Sequence, residues 1–324
     1  MKAVRFHAFG DASVLHYEDL AVPVPGADQV RIRVAATSFN PVDAGIRGGF
    51  LQQAFPVTLP HIPGIDVAGT IEALGADVTG HHVGERVIAY LPMLADGAAA
   101  EFVLAPAESL AAAPASIPLA DAAALPVVGL TAWQALFEHA DLRAGQRLLV
   151  NGAGGAVGGY VIQLASHAGA HVIATASPRS LARVRAAGAD EVIDHTARNV
   201  VADALDQPVD IVLNLAPIPP AELSALAHVV AVGGSSHSSG GGRAGGVVLT
   251  TVPTAMPAEA IDGLRVAPIF VRNDAGQLAA LAARVDAGEL HVEVAERVPL
   301  AELAAVHARA DAGALSGKVI VVPA

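Results

Sequence analysis

The chain contains no cysteine. Disulfides, thiolate nucleophiles and every cysteine-ligated zinc or iron–sulfur centre are therefore excluded. Positive charge is also short: 19 Lys and Arg against 31 Asp and Glu leave a net charge of −12. A polyanion would be repelled overall, so nucleic acid is not expected as a partner. Aromatics make up only 4% of a chain rich in alanine, a composition bias to which no function attaches. Hydrophobic content of 53% is ample for burial, yet no apolar run approaches the roughly 20 residues needed to cross a bilayer. The first residues, Met1 to Phe6, lack the apolar core of a signal peptide and read as a strand. The expectation is a soluble, cytoplasmic protein with no membrane partner.

One local absence carries more. Between Gly145 and Asp190 there is no carboxylate, over a stretch that reads as strand, glycine turn, helix and strand. The first strand is Arg147 to Val150, the turn Asn151 to Gly159, the helix Tyr160 to Ala168 and the second strand His171 to Thr175. Glycines at 152, 155 and 158 let the backbone turn sharply and bring its amides to a pyrophosphate at the helix N-terminus. The predicted cradle is Gly152, Gly154, Gly155, Ala156, Val157 and Gly158. NAD-selective turns place an acidic residue about 20 positions on, to hold the ribose 2′-hydroxyl. Here that region offers Ser177, Arg179, Arg183 and Arg185, which suit a 2′-phosphate, so the predicted cofactor is NADPH. Ser177 and Arg179 carry the preference, Arg179 foremost because arginine–phosphate contacts are charge-assisted and often bidentate; Arg183 reads as solvent-facing.

A length of 324 residues predicts two domains. Up to about residue 120, short β-like runs (Val30 to Val34, Val67 to Ile71, Arg86 to Tyr90, Ala100 to Leu104) alternate with Pro/Gly turns, which argues for a mainly β domain. After Pro118 the pattern changes. Ala122 to Leu125 and Leu130 to His139 read as helical, and from Arg147 strands and helices alternate as in a parallel sheet. Further strands are expected at Glu191–Asp194, Asp210–Asn214 and Val229–Gly233. The Gly/Ser-rich segment 233–246 is expected to be a mobile loop, with the alternative that it borders the cofactor. Helices follow at Gly276–Val285 and Leu300–Ala310, then a strand at Lys318–Val322 that returns to the first domain. The expected division is 1–122 with 267–324, and 123–266.

Several further segments agree in order. Ser38 to Gly48 precedes Pro63 to Gly69; Gly129 to Trp133 follows, then the nucleotide turn, Ala187 to Asp194, and Ser316 to Ile320. Together they closely resemble the zinc-independent quinone oxidoreductase branch of the medium-chain dehydrogenase/reductase family, over essentially the whole chain. The resemblance implies an α/β protein: a GroES-like, mainly-β catalytic domain with an inserted Rossmann domain, a doubly wound parallel sheet. It also implies an active site in the cleft between them, homodimers, and NADPH-dependent reduction of quinones or α,β-unsaturated carbonyls. Zinc-using relatives carry a ligating cysteine where this chain has Asn40, and Gly-His-Glu where it has Gly64, Ile65 and Asp66. No metal site is expected: His81 and His82 sit in a glycine-flanked turn and His61 stands beside prolines, whereas a good site needs converging ligands.

For individual residues the resemblance places the Asn40 amide near the nicotinamide, able to donate to a substrate carbonyl; alone, Asn40 reads as a loop amide bonding its own backbone. Thr131 opens a helix, either against the nicotinamide or as a cap. Asp43 orients neighbouring backbone or Arg47, and Asp66 is a structural acceptor. His195 stands where relatives carry Tyr beside the adenosine phosphate. Asn214, Leu215 and Gly233 are expected beside the nicotinamide ribose on topology. Phe270 and Val271 resemble a segment reaching the nicotinamide ring, though a core strand would look the same. Lys318 either meets the 2′-phosphate side or caps its loop. The predicted chemistry is hydride transfer to a quinone; the alternatives are an enoyl or enone reductase and a non-catalytic NADPH-binding protein.

Overall fold

A computed structural model of the chain describes residues 1–197, 207–231, 246–252, 256 and 263–323. The chain divides into two compact units, Met1–Leu130 with Arg272–Ala324, and Thr131–Val271. The crossings fall at Leu130 and Val271, later in the chain than the expected 122 and 266.

The first unit is built on β structure. Strands β1 (Lys2–Phe6) and β2 (Leu15–Asp19) form an antiparallel pair. The larger sheet uses β3 (Gln29–Ser38), β4 (Asp66–Leu74), β5 (Arg86–Tyr90), β6 (Phe102–Pro106), β7 (Leu110–Ala112), β14 (Glu296–Pro299) and β15 (Val319–Val322). Its order is β14-β15-β3-β4-β5-β7, with β6 also paired to β3. Alternation explains β3: Val30, Ile32 and Val34 face a core shared with Val67, Ile71, Val87, Ala89 and Val103, while Arg31 turns outward to Glu72. The other face of β4 and β5 carries Asp66, Ala68, Ile88 and Tyr90, and the short 3-10 turn Leu119–Ala124 packs on this sheet. Its alanines 122, 123 and 124 are fully buried, small enough to let backbone approach backbone. Helix α1 (Pro41–Arg47) follows β3 directly; Asn40 is its extended N-cap residue and Pro41 its first residue, where the missing N–H costs nothing. Two more helices, α6 (Ala275–Asp286) and α7 (Leu303–Asp311), belong to this unit.

The second unit is a six-stranded sheet, parallel at every pairing: β8 (Arg147–Asn151), β9 (His171–Ala176), β10 (Glu191–Asp194), β11 (Ile211–Asn214), β12 (Val247–Thr250) and β13 (Arg265–Pro268), ordered β10-β9-β8-β11-β12-β13. Strands buried on both faces read as unbroken apolar runs, as Leu148 to Val150 and Ile211 to Leu213 do. The order reverses at β8, and there the strand feeds the glycine turn and helix α3 (Ala156–His167). Helices α4 (Leu181–Ala186) and α5 (Pro220–Ala227) complete the described elements of the sheet's faces.

Three expectations need correction. Helix α3 begins at Ala156, four residues before Tyr160, because Gly155 already caps it with extended backbone. Val229 and Val230 form no strand among the described residues. Val230 makes one bridge to Val209, and the neighbour of β11 is β12, since the strand there resumes at Val247. Thr131 does not open a helix: α2 (Pro126–Trp133) starts five residues earlier and continues as the π-turn Gln134–His139, so Thr131 lies within it, buried, and is no cap.

Candidate functional site

The glycine turn owes its shape to close approaches. Gly152 has φ +84°, a left-handed conformation, and a side chain there would also meet the backbone of Ala216 at 2.9 Å. At Gly158 a Cβ would lie 2.3 Å from the Ala153 carbonyl, which seats the first turn of α3 on the loop. Under this turn a row of neutral polar side chains crosses the C-terminal ends of four adjacent strands. Thr175 of β9 donates its hydroxyl to Asn151 Oδ1 (3.0 Å) and accepts from the Gly152 amide (2.9 Å). Asn151 Nδ2 donates to Asn214 Oδ1 (2.8 Å), and Asn214 Nδ2 donates to Thr250 Oγ1 (3.2 Å) and the Ala216 carbonyl (3.0 Å). Each amide orientation is thereby fixed by its neighbour, and the row clamps the turn to the sheet.

Helix α4 closes the other side. Ser180 is buried beneath the turn, with Oγ 2.5 Å from where a Cβ on Gly154 would be. The Gly154 carbonyl accepts a hydrogen bond from Arg183 Nη2. Arg183, within α4, is thus half-buried against the glycine turn, whereas Arg179 is exposed.

In the first unit a second polar row crosses four adjacent strands, β15, β3, β4 and β5, again at one end. Lys318, just before β15, is 4% exposed and its ammonium donates to Asn40 Oδ1 (2.6 Å), the Phe39 carbonyl (3.3 Å) and Asp66 Oδ2 (3.3 Å). Asn40 Nδ2 donates to the same Asp66 oxygen (2.9 Å), as does the Ser38 hydroxyl. Asp66 Oδ1 accepts from the Val127 amide (2.8 Å). Burial holds the Lys318 ammonium below its usual range, and Asp66 opposes that shift. Asp43 lies beside the row, accepting from the amides of Asn40 (2.9 Å) and Gly64 (3.1 Å). Burial pushes its carboxyl up to about 7 despite those bonds. Opposite Asp66 on β5 stands Tyr90, whose phenol burial and the two carboxylates hold above its ordinary value.

With this geometry in hand, the relatives can be placed. Residues 26–115 match the alcohol dehydrogenase GroES-like domain, and residues 187–321 match a zinc-binding dehydrogenase domain. The chain is 40% identical over 201 residues to an Arabidopsis thaliana chloroplast envelope quinone oxidoreductase homolog, covering 60% of this chain and 61% of that protein. The chain therefore spans less than two thirds of the length of the curated relatives it matches first. Over the full fold it superposes on a quinone oxidoreductase from Coxiella burnetii, with TM-score 0.87 and 28% identity, covering 99% of both chains. A mycobacterial protein solved in complex with NADPH superposes with TM-score 0.82 and 26% identity, covering all of both chains. The chain belongs to the medium-chain dehydrogenase/reductase family.

Family members that use zinc need three or more converging ligands, and among the described residues no such group of His, Cys, Asp or Glu exists. Asp66 accepts from a lysine ammonium, an amide, a hydroxyl and a backbone N–H. No described helix is long and apolar enough to cross a membrane.

The predicted site residues separate into groups within the family fold. Gly152, Asn214 and Leu215 come together through Asn151, whose carbonyl accepts from the Leu215 amide (2.8 Å). Gly154, Gly155, Ala156, Val157 and Gly158 form the turn and the start of α3, and Ser177 leads into α4, its carbonyl accepting from the Ser180 amide. His195 is exposed, with its amide on the Ala176 carbonyl (3.1 Å). Phe270 is 68% exposed just beyond β13, and Val271 is half-buried. Gly233 and the 233–246 loop lie outside the described residues. Two expectations are corrected. Lys318 joins Asn40 inside the first unit, since a fully bonded buried ammonium has no donor left for a phosphate. The Asn40 amide is committed to Asp66 and the Ser38 carbonyl (3.5 Å), so it is not poised for a substrate. Sequence reasoning missed Thr175, Asn151, Ser180 and Tyr90; the polar residues ending each strand were the available signal.

Proposed function

We propose that this protein is an NADPH-dependent reductase that acts on quinones without a metal. The observation that carries the proposal is the carboxylate-free stretch from Gly145 to Asp190, folded as β8, glycine turn, α3 and β9, with Ser177 at the end of β9 and Arg183 in α4. A residue that would repel a 2′-phosphate is missing there, and a guanidinium, that of Arg183, sits against the turn and brings positive charge to it. When bound, the cofactor supplies a hydride, which a quinone takes up together with a solvent proton to become a hydroquinone. The chain's own part is to present backbone amides at the α3 N-terminus to the pyrophosphate, and to hold the dinucleotide against the row from Thr175 to Thr250. Asn40 acts as a positioning residue, fixing Lys318 and Asp66 relative to one another. Thr131 is assigned to the neighbourhood of the nicotinamide, as are Phe270 and Val271; His195 is assigned to the adenosine end.

The test is a cofactor and acceptor comparison. NADPH should be oxidised far more efficiently than NADH against benzoquinones and naphthoquinones. Turnover confined to enals or enoyl thioesters would make the protein an enone reductase, and saturable NADPH binding without any turnover would make it a binding protein. Arg183→Ala and Arg179→Ala should each weaken NADPH selectively, by about 1.5–3 kcal/mol for a charge-assisted contact. Equal losses for both cofactors would remove that side chain from phosphate recognition. The same proposal has the protein working in the cytoplasm as a homodimer, which light scattering would report as twice the chain mass of 32.6 kDa.

A further inference from the structure

The first unit's polar row is saturated along most of its length. All three ammonium protons of Lys318 have acceptors, the Asn40 amide is committed at both its oxygen and its nitrogen, and both oxygens of Asp66 are occupied. Ser38 gives its proton to Asp66. The row ends at Tyr90, the last residue of β5, set directly opposite Asp66 in the antiparallel register. Tyr90 is 5% exposed, and its hydroxyl forms no hydrogen bond to any described residue. A buried phenol normally finds a partner. This one is anchored by its backbone instead: the Tyr90 carbonyl accepts from Asn273 Nδ2 (2.7 Å), and the Leu91 amide donates to the Ile65 carbonyl (2.7 Å). Its placement is therefore set while its hydroxyl is left over.

We propose that the Tyr90 hydroxyl donates a hydrogen bond to the substrate oxygen that gains negative charge during reduction. This rests on the reductase reading and assigns to Tyr90 the donor role that the Asn40 amide, already committed, does not fill. The atoms balance without ionising tyrosine. Hydride adds to the acceptor, the cofactor leaves oxidised, and the one proton still needed comes from solvent while the phenol keeps its own. Burial, with two neighbouring carboxylates, makes a phenolate costly at this place, so the group acts as a fixed donor and not as an acid. A donor aimed at developing charge in a dry site is worth more than the same bond in water.

Tyr90→Phe removes one oxygen and nothing else. The kcat for naphthoquinone reduction should fall on the order of 100-fold, as for the loss of one oxyanion donor. The KM for NADPH and the midpoint of thermal unfolding should stay put, because no intramolecular bond is lost. Tyr90→Met, which fills similar space without a hydroxyl, should reproduce the rate loss. A Tyr90→Phe enzyme with wild-type kcat overturns the assignment while leaving the reductase reading intact. A lower melting midpoint with unchanged kcat would mean a structural hydroxyl, which also overturns it. Should the unaltered protein turn over no quinone or enone at all, the reductase reading fails separately. Calorimetric binding of 1,4-naphthoquinone then decides for Tyr90: a tenfold weaker Kd in Tyr90→Phe supports the donor, and an equal Kd removes it.

Discussion

Each unit ends four neighbouring strands in a row of buried polar side chains, and the two rows follow different physics. Thr175, Asn151, Asn214 and Thr250 are neutral and linked end to end, both asparagines giving and taking within the row. Lys318, Asn40, Ser38 and Asp66 include two full charges taken out of water. A neutral row loses little when cut, because each orphan is only a dipole. A charged row is stable while complete and costly when broken, because what remains is a bare ion in a medium that solvates it poorly. The neutral row supports the glycine turn; the charged row holds a buried ammonium against a buried carboxylate.

The comparison can be broken most forcefully at Lys318. Lys318→Met should destabilise the protein by about 3–5 kcal/mol in denaturant unfolding, since Asp66 loses its cation. Adding Asp66→Asn should recover part of that, a coupling that independent sites would not show. A loss below 1 kcal/mol would mean the row is not the buried ion pair described.

Next in size is the response to pH. The folded value of Asp43, about 7, lies above its ordinary 3.8, so the unfolded chain ionises first. Asp43 therefore contributes stability that is lost as pH rises from about 4 to 7. His307 runs the other way. Burial and the nearby Arg47 lower it to about 3 from 6.5, so stability is lost as pH falls from about 6.5 towards 3. Between 4 and 6.5 the two slopes oppose. Relative to the unaltered protein, Asp43→Asn should make stability rise more steeply with pH, and His307→Asn should make it fall more steeply, each by about 1 kcal/mol per pH unit. Parallel curves for all three proteins would rule both assignments out.

In the neutral row, Asn214→Ala should cost about 2 kcal/mol by orphaning Asn151 and Thr250, with little dependence on salt. A loss as large as that of Lys318→Met would erase the distinction between the rows. The smallest effect concerns the turn. Gly154→Ala should lose about 1 kcal/mol against Ser180. Ser180→Gly should restore it, and failure to do so would place the constraint in the backbone instead.

Much of the second unit could be read along the chain, because β8 to β11 are local, apolar and punctuated. Arg147, His171, Glu191 and Asn214 all fall in strands where apolar runs predicted them. Of the strand expected at Val229–Gly233 the described residues keep only the Val230–Val209 bridge, and it is Val247–Thr250, just past the Gly/Ser-rich segment, that pairs with β11. The rows themselves were not readable. Asn151 touching Asn214, or Tyr90 facing Asp66, follows only once strands are paired and registered. Lys318 was the hardest, since a Gly-Lys pair before a strand says nothing about a carboxylate 252 positions earlier. The arginines illustrate the same limit: Arg179 and Arg183 are one helical turn apart in sequence, and only the packing of α4 brings Arg183, not Arg179, onto Gly154.

The separation of Lys318 from Asp66 has a consequence for the order of biosynthesis. A ribosome delivers Asp66 and Asn40 long before the cation that neutralises them. The whole parallel sheet of the second unit is available to fold in the meantime. Until residue 318 emerges, the nascent chain must keep that carboxylate wet, so the first unit waits, partly open, for its last strand to close it.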